Sequence, residues 1–333
     1  MTRPNPTDRR VGITTTVPSE VIFAAGLVPV DLNNLFMSAP RPEALVEEAE
    51  QAGFPRNCCA WIKGIYAACR REKVRRLVGV VRGDCSNTLA LMEVLRSEGV
   101  ETIEFAYPHE PRPELVAGAI ESFAASLGTT TEAAQRQRRR LEPARRLLAE
   151  VDELAGARGT ASAADAHLWM ISASDFRGDP ESFERDLASF LAPLRAAPPR
   201  PGSLPVVLAG VPPIKSGLFA ELERLGVRVA YDEMPYEFTM ARARSMPLET
   251  MYAEYIYPYD IERRVARLRE AARSRAARGV IHYVQSFCYR QIQDRLLREG
   301  LGLPVLTLEC DRPGPLDAGA MTRLEAFVES LRR

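Results

Sequence analysis

The stretch Val280–Gly300, VIHYVQSFCYRQIQDRLLREG, opens as an apolar, β-branched run and closes as an amphipathic helical pattern. One cysteine, Cys288, stands at the join. A second stretch repeats the arrangement. VGVVRGDCSNTLALMEVLRSEGVETIEF, residues 78–105, can be laid beside IHYVQSFCYRQIQDRLLREGLGLPVLTLE, residues 281–309. Each reads as a strand, three linking residues, a cysteine, a helix closing on Glu-Gly and a further strand. Strands alternating with helices make βαβ units and a mainly parallel sheet. In such sheets ligands bind beyond the carboxyl ends of the strands. Cys85 and Cys288 therefore hold matching places where sites are built.

The same alternation runs outward along the chain. A strand at Val11–Thr15 leads to a helix with Pro18 in its first turn, where a missing N–H costs little. Gly26 ends that helix, and LVPVDL reads as the next strand. PEALVEEAEQAGF and CCAWIKGIYAACRREK are helical by period, RRLVGVV is a buried strand, and ETIEFAYP is another. From about Pro113 to Ala197 the chain is rich in Ala, Arg, Glu and Leu and reads as helix without strand signals. Its basic run Arg136–Arg146 reads as a solvated helix face, because acidic residues follow at once. RAAPPRPGSLP, Arg195–Pro205, is the linker candidate. After it βαβ logic restarts, interrupted by an irregular Tyr- and Met-rich stretch, Met234–Asp260, and by a helix IERRVARLREAARSRAARG that should stop at Gly279. The expectation is α/β: one domain over 1–197 with a helical insertion at about 113–197, and a second over 203–333.

The 333 residues suffice for two ordinary domains, and 46% hydrophobic with 26% charged residues excludes global disorder. Lys plus Arg equals Asp plus Glu at 44 each, which speaks against bulk electrostatic binding of nucleic acid. No long uncharged apolar span suggests a membrane crossing, and no apolar h-region follows the basic N-terminus. The expected location is cytoplasmic, with neither nucleic acid nor membrane as partner.

In such a compartment a disulfide framework is improbable for Cys58, Cys59, Cys69, Cys85, Cys288 and Cys310. No H-E-x-x-H or C-x-x-C occurs. A helix N-terminus offers unpaired N–H groups and partial positive charge, which favour the thiolate that binds metal. Asn57 could cap the helix of CCAWIKGIYAACRREK, leaving Cys58 and Cys59 both in opening positions. Cys69, further along that helix, and Cys310, after a strand, read as buried packing thiols. Three thiolates suit an iron–sulfur cluster in which one iron lacks a protein thiolate, since the usual cluster takes four.

Several motifs, in order, resemble those of the 2-hydroxyacyl-CoA dehydratase component D family, which includes benzoyl-CoA reductase subunits and double-cubane cluster proteins. They are TTVPSEVIFAAGLVPVDL, CAWIKGIY, GDCSNTLALMEVL, GVIHYVQSFCYRQIQDRLL and GPLDAGAMTRLEAFVESL. The resemblance implies two Rossmann-like domains holding an iron–sulfur cluster through Cys59, Cys85 and Cys288, and it favours Cys59 over Cys58. The implied cluster is 4Fe–4S, with an 8Fe–9S double cubane as the alternative. It further implies a homodimer or a heterodimer with a related subunit, and a separate ATP-hydrolysing activator that supplies electrons. The implied activity is dehydration or reduction of an acyl-CoA through a ketyl radical anion. The alternatives are ATP-dependent reduction of a small non-CoA molecule, or a non-catalytic partner subunit. Three further side chains are weak catalytic candidates. His282 is a proton-transfer group or a hydrogen-bonded structural histidine. Lys63, one helical turn beyond Cys59, faces the cluster or solvent. Glu233 is a polar wall residue or a satisfied loop carboxylate.

Overall fold

The computed structural model describes residues 9–199 and 203–333. Arg200, Pro201 and Gly202 of the linker candidate, and the first eight residues, lie outside the described residues. The chain forms an α/β fold of two compact units, each with its own parallel, Rossmann-like sheet. The first comprises Met1–Arg146, Ser172–Arg185 and Met240–Tyr259. The second comprises Leu147–Ile171, Asp186–Thr239 and Asp260–Arg333.

The first unit's sheet contains β1 (Arg10–Ile13), β2 (Val28–Asp31), β3 (Arg76–Arg82) and β4 (Glu101–Ala106), in the order β2-β1-β3-β4. All three pairings are parallel. Val11, Ile13, Leu77, Val78 and Val80 are fully buried, as expected of strands covered by helices on both faces. The helices Ala60–Arg71 and Asn87–Ser97 belong to this unit. So does most of the stretch read as irregular in sequence, Met240–Tyr259; its first residues, through Thr239, fall in the second unit and begin in a short helix, Glu233–Phe238. Met240–Tyr259 carries a short helix, Leu248–Glu254, whose Tyr252 hydroxyl lies within hydrogen-bonding distance of two acceptors, Val17 O (3.0 Å) and Glu20 Oε2 (2.9 Å). Glu20 and Arg145, both buried, form an ion pair at 2.5 Å.

The second unit contains β5 (Leu204–Gly210), β6 (Lys215–Ser216), β7 (Val227–Asp232), β8 (Gly279–Gln285), β9 (Val305–Cys310) and β10 (Gly314–Pro315). Its main sheet has the order β7-β5-β8-β9, again parallel throughout. Numbered within each unit, both sheets follow the same order, second-first-third-fourth. β6 and β10 pair separately; runs of two residues carry too little pattern to be read from sequence. All seven residues of β8 are buried. The helix Ile261–Ser274 covers the sheet through Leu268, Ala271 and Ala272, packed with Val207, Tyr231 and Val280.

Among the boundaries that differ from expectation, three bear on β8 and the cysteine turns. Gly279 opens β8 instead of stopping a helix that ends at Ser274. A Cβ there would lie 2.8 Å from Leu331 Cδ1 and 2.9 Å from Phe327 Cζ, so the glycine serves close packing of the helix Ala318–Arg332. The helix after Cys288 runs past Glu299-Gly300 to Leu301 and stops at Gly302, whose φ is +65°. Two residues, not three, separate each strand from its cysteine: Gly83 and Asp84 after β3, Ser286 and Phe287 after β8.

Candidate functional site

Cys85 and Cys288 each follow the third strand of their unit. In a second-first-third-fourth order the chain's direction of travel reverses between the first and third strands. That reversal is the topological switch point beside which open α/β sheets bind ligands. Local bonding is matched as well. The Cys85 carbonyl accepts the N–H of Thr88 and the Cys288 carbonyl that of Gln291, both at 3.0 Å and both three residues on. Each cysteine thus begins a helical turn. Cys85 leads into the helix Asn87–Ser97, and Cys288 caps a five-residue 3₁₀ turn, Tyr289–Gln293, before the helix Asp294–Leu301. The expected α-helix mouth at Cys288 is therefore a 3₁₀ mouth. Both thiols are half-buried.

Cys59 is itself the N-cap of the helix Ala60–Arg71, and its carbonyl accepts the N–H of Lys63 at 3.3 Å. The expected cap, Asn57, lies two residues too early. Cys59 is buried. Cys58 precedes the cap and is half-buried; burial pushes its thiol above the usual range, against the pull of Lys63. Cys69 is 1% exposed, its thiol directed at Val74 O (3.8 Å) and pushed up by burial to about 12. Cys310 is buried and also raised by burial, with the Tyr283 hydroxyl opposing. Neither is disposed to be a thiolate.

Beside Cys85 the turn is tightly walled. Gly83 has φ +94°, and a Cβ there would come within 2.8 Å of Pro258 Cβ and 2.9 Å of Tyr107 Cβ. The Tyr257 hydroxyl donates to Asp84 Oδ1 at 3.0 Å, and Tyr107 donates to Thr16 O at 2.9 Å. The Tyr107 ring contacts those of Tyr255 and Tyr259. These aromatic walls go unread in sequence because the stretch Met234–Asp260 reads as irregular.

The weak catalytic candidates are all buried and bonded. Lys63 is fully buried, with Nζ donating to Glu50 Oε1 (2.8 Å) and Arg56 O (3.1 Å), so it is not a solvated lysine. Glu233 is fully buried and accepts two bonds from Arg264, at 2.6 and 2.7 Å, and the Gly210 N–H at 2.9 Å. Burial opposes its ionisation, but the Arg264 guanidinium outweighs that and holds the carboxyl below its usual range. His282, in the middle of β8, is 2% exposed, and its Nδ1 lies 2.7 Å from Asp294 Oδ1. Burial and the Arg264 cation lower its pKa, and beside a carboxylate Nδ1 is the donor. A second such pair, His167 Nδ1 with Asp232 Oδ2 at 2.6 Å, is buried in the same unit. Nothing in its sequence spacing signals it, since the partners lie 65 positions apart.

Among the described residues, which include all six cysteines, none forms a disulfide. Among them, too, no group of three or more His, Cys, Asp or Glu side chains is gathered to hold a metal ion. No described helix is long and apolar enough to cross a membrane.

Two parallel α/β sheets of one topology, each with a cysteine just after its third strand, define a Rossmann-like protein. The family model for the 2-hydroxyglutaryl-CoA dehydratase D-component matches residues 14–331, and the chain belongs to that family. No curated protein sequence matches the chain.

Proposed function

We propose that the chain is an iron–sulfur-dependent subunit of a 2-hydroxyacyl-CoA dehydratase or a related reductase, with Cys59, Cys85 and Cys288 as the cluster ligands. The observation that carries this reading is the placement of Cys85 and Cys288 at equivalent switch-point turns, each opening a helical turn with the same carbonyl bond. The donor chemistry fits: soft thiols at helix openings, where N–H groups favour the thiolate. Cys69 and Cys310 fit poorly, being raised by burial.

Bound there, a 4Fe–4S group with one iron free of protein thiolate would supply a Lewis-acid position for an acyl thioester carbonyl and a store for one electron. That electron would come from a separate ATP-hydrolysing activator, and the chemistry on the acyl-CoA would be of the ketyl type. The residues of the chain would hold the thiols at these turns. The Gly83–Cys85 turn is walled by Tyr107 and Pro258, and Asp84 is fixed by Tyr257. Lys63, Glu233 and His282 are buried and bonded to Glu50, Arg264 and Asp294, which suits holding the frame better than exchanging protons with substrate.

The test is iron and sulfide content with the visible spectrum of anaerobically purified protein. About four irons per chain and a broad charge-transfer band are expected. About eight would favour the double-cubane alternative, and an iron-free chain that resists reconstitution would sink the cluster reading.

A further inference from the structure

The turn bearing Cys288 buries Arg290 but leaves its large apolar side chains exposed. Phe287 adopts a left-handed φ of +63°, and Phe287, Tyr289 and Ile292 are 52%, 42% and 83% exposed. An exposed turn of this kind frays unless both ends are tied to the sheet. Its entry is tied by the Ser286 N–H to Cys310 O (3.0 Å) and the Cys288 N–H to Gln285 O (3.1 Å). The Ser286 hydroxyl adds a bond to Glu309 Oε1 (2.9 Å).

A carboxylate ties its exit. Asp294, the first residue of the following helix, places Oδ1 2.7 Å from His282 Nδ1 and 2.5 Å from the Thr307 hydroxyl. Its Oδ2 accepts from Arg298 Nε at 2.7 Å. His282 on β8 and Thr307 on β9 are direct partners in the strand register. Asp294 therefore grips two neighbouring strands at one rung of the ladder. Arg298 closes the set, donating to Val305 O at 3.0 Å and also to the Thr307 hydroxyl. The acceptor capacity of the carboxylate goes to positioned donors, an arrangement that fixes geometry.

We propose that His282, Thr307 and Asp294 form a clamp that holds the exit of the Cys288 turn and so positions that thiolate for its cluster. These are positioning residues, acting through the backbone between Cys288 and Asp294. The proposal rests on the reading of Cys288 as a ligand. It assigns His282 a task other than proton transfer and adds two residues that the sequence motifs did not single out.

The experiment compares anaerobically purified wild-type protein with the Asp294→Ala, Asp294→Asn, Thr307→Val and Cys288→Ser variants. It reads the rate at which an iron chelator bleaches the cluster and, separately, the thermal midpoint of the iron-free chains. Loss of groups that orient a metal ligand typically weakens holding by roughly 10–100-fold. Asp294→Ala should therefore bleach about tenfold faster or more, with a circular dichroism spectrum like that of wild type. Asp294→Asn, which keeps one acceptor, should fall between, and Thr307→Val should bleach faster than wild type without touching the carboxylate. If Cys288→Ser holds its iron as wild type does, the ligand reading fails and the clamp fails with it. If Cys288→Ser loses iron while Asp294→Ala and Thr307→Val bleach at the wild-type rate, the clamp alone is refuted. Should Asp294→Ala not fold, the Thr307→Val and Asp294→Asn rates decide the matter.

Discussion

Asp175 is a buried carboxyl of the first unit whose replacement has a calculable effect. Its Oδ2 accepts the Asp31 N–H at 2.8 Å, and its Oδ1 accepts the Arg177 N–H at 2.9 Å. It thereby holds Phe176 and Arg177 in left-handed backbone, φ 49° and 53°. Burial, and then the neighbouring Asp31 carboxyl, push its pKa from 3.8 to about 7. A raised acid keeps its proton longer in the folded than in the unfolded chain. The stability linked to it is fully present below pH 3.8, is lost as pH rises to about 7, and is constant above. At about 1.36 kcal/mol per pH unit, the rise from 3.8 to about 7 corresponds to about 4 kcal/mol. Asp175→Asn cannot ionise and loses this dependence. It also turns one acceptor into a donor facing an N–H, which costs about 1–3 kcal/mol at every pH. The variant should therefore be the weaker protein at pH 4 and should gain on wild type by up to about 4 kcal/mol by pH 8. Urea unfolding of the iron-free chain at pH 4–8, at one ionic strength, measures the difference, with Trp61 reporting on the first unit. Parallel stability curves for the two proteins would show that Asp175 titrates normally and would refute the argument.

Gly210, at the end of β5, has φ +102°, and a Cβ there would collide with the Tyr283 carbonyl; Gly210→Ala should lower the thermal midpoint, with a cost of at least about 1–3 kcal/mol from backbone strain alone. Glu233→Gln leaves the Arg264 cation buried without its counter-charge, and thermal unfolding should show a loss of about 3–5 kcal/mol. Cys69→Ser buries a hydroxyl in place of a thiol at a cost of about 1–3 kcal/mol, yet should keep its iron, whereas Cys85→Ser should lose it; metal analysis of the two variants separates packing from ligation.

The main strands and long helices were legible because burial on one or both faces leaves a period in the sequence. What escaped was set by contacts between distant residues. Gly279 looks like a helix stop until Leu331 and Phe327 are seen against it. Tyr252, Tyr255, Tyr257 and Tyr259 look like an irregular run until their partners Glu20, Asp84 and Tyr107 appear. The same limit applied to the polar residues. His282, Lys63 and Glu233 stood out as titratable groups near strand ends or cysteines. Their partners Asp294, Glu50 and Arg264 lie 12, 13 and 31 positions away.

The pair Cys288 and Cys310 shows what makes a thiol a candidate ligand in this fold. Cys310 ends β9 and Cys288 follows the neighbouring strand β8, whose last residue, Gln285, registers directly with Cys310. Composition and carboxyl-end location alone would treat them alike. Cys310 is the last residue of the edge strand β9; it is buried, raised by that burial, and opens no helix. Cys288 follows the third strand, past the end of the ladder, and its carbonyl starts a helical turn. Right-handed crossovers send the chain one way from the first strand to the second and the other way to the third. A turn after the third strand therefore borders the groove where the helices diverge, while a turn after the fourth borders only its neighbour. Cys85 meets the same condition in the first unit, with the same strand order and the same carbonyl bond. Place in the topology, more than residue type, separates Cys288 from Cys310 in the second unit and Cys85 from Cys69 in the first, whereas Cys59 is marked only by its place at a helix opening.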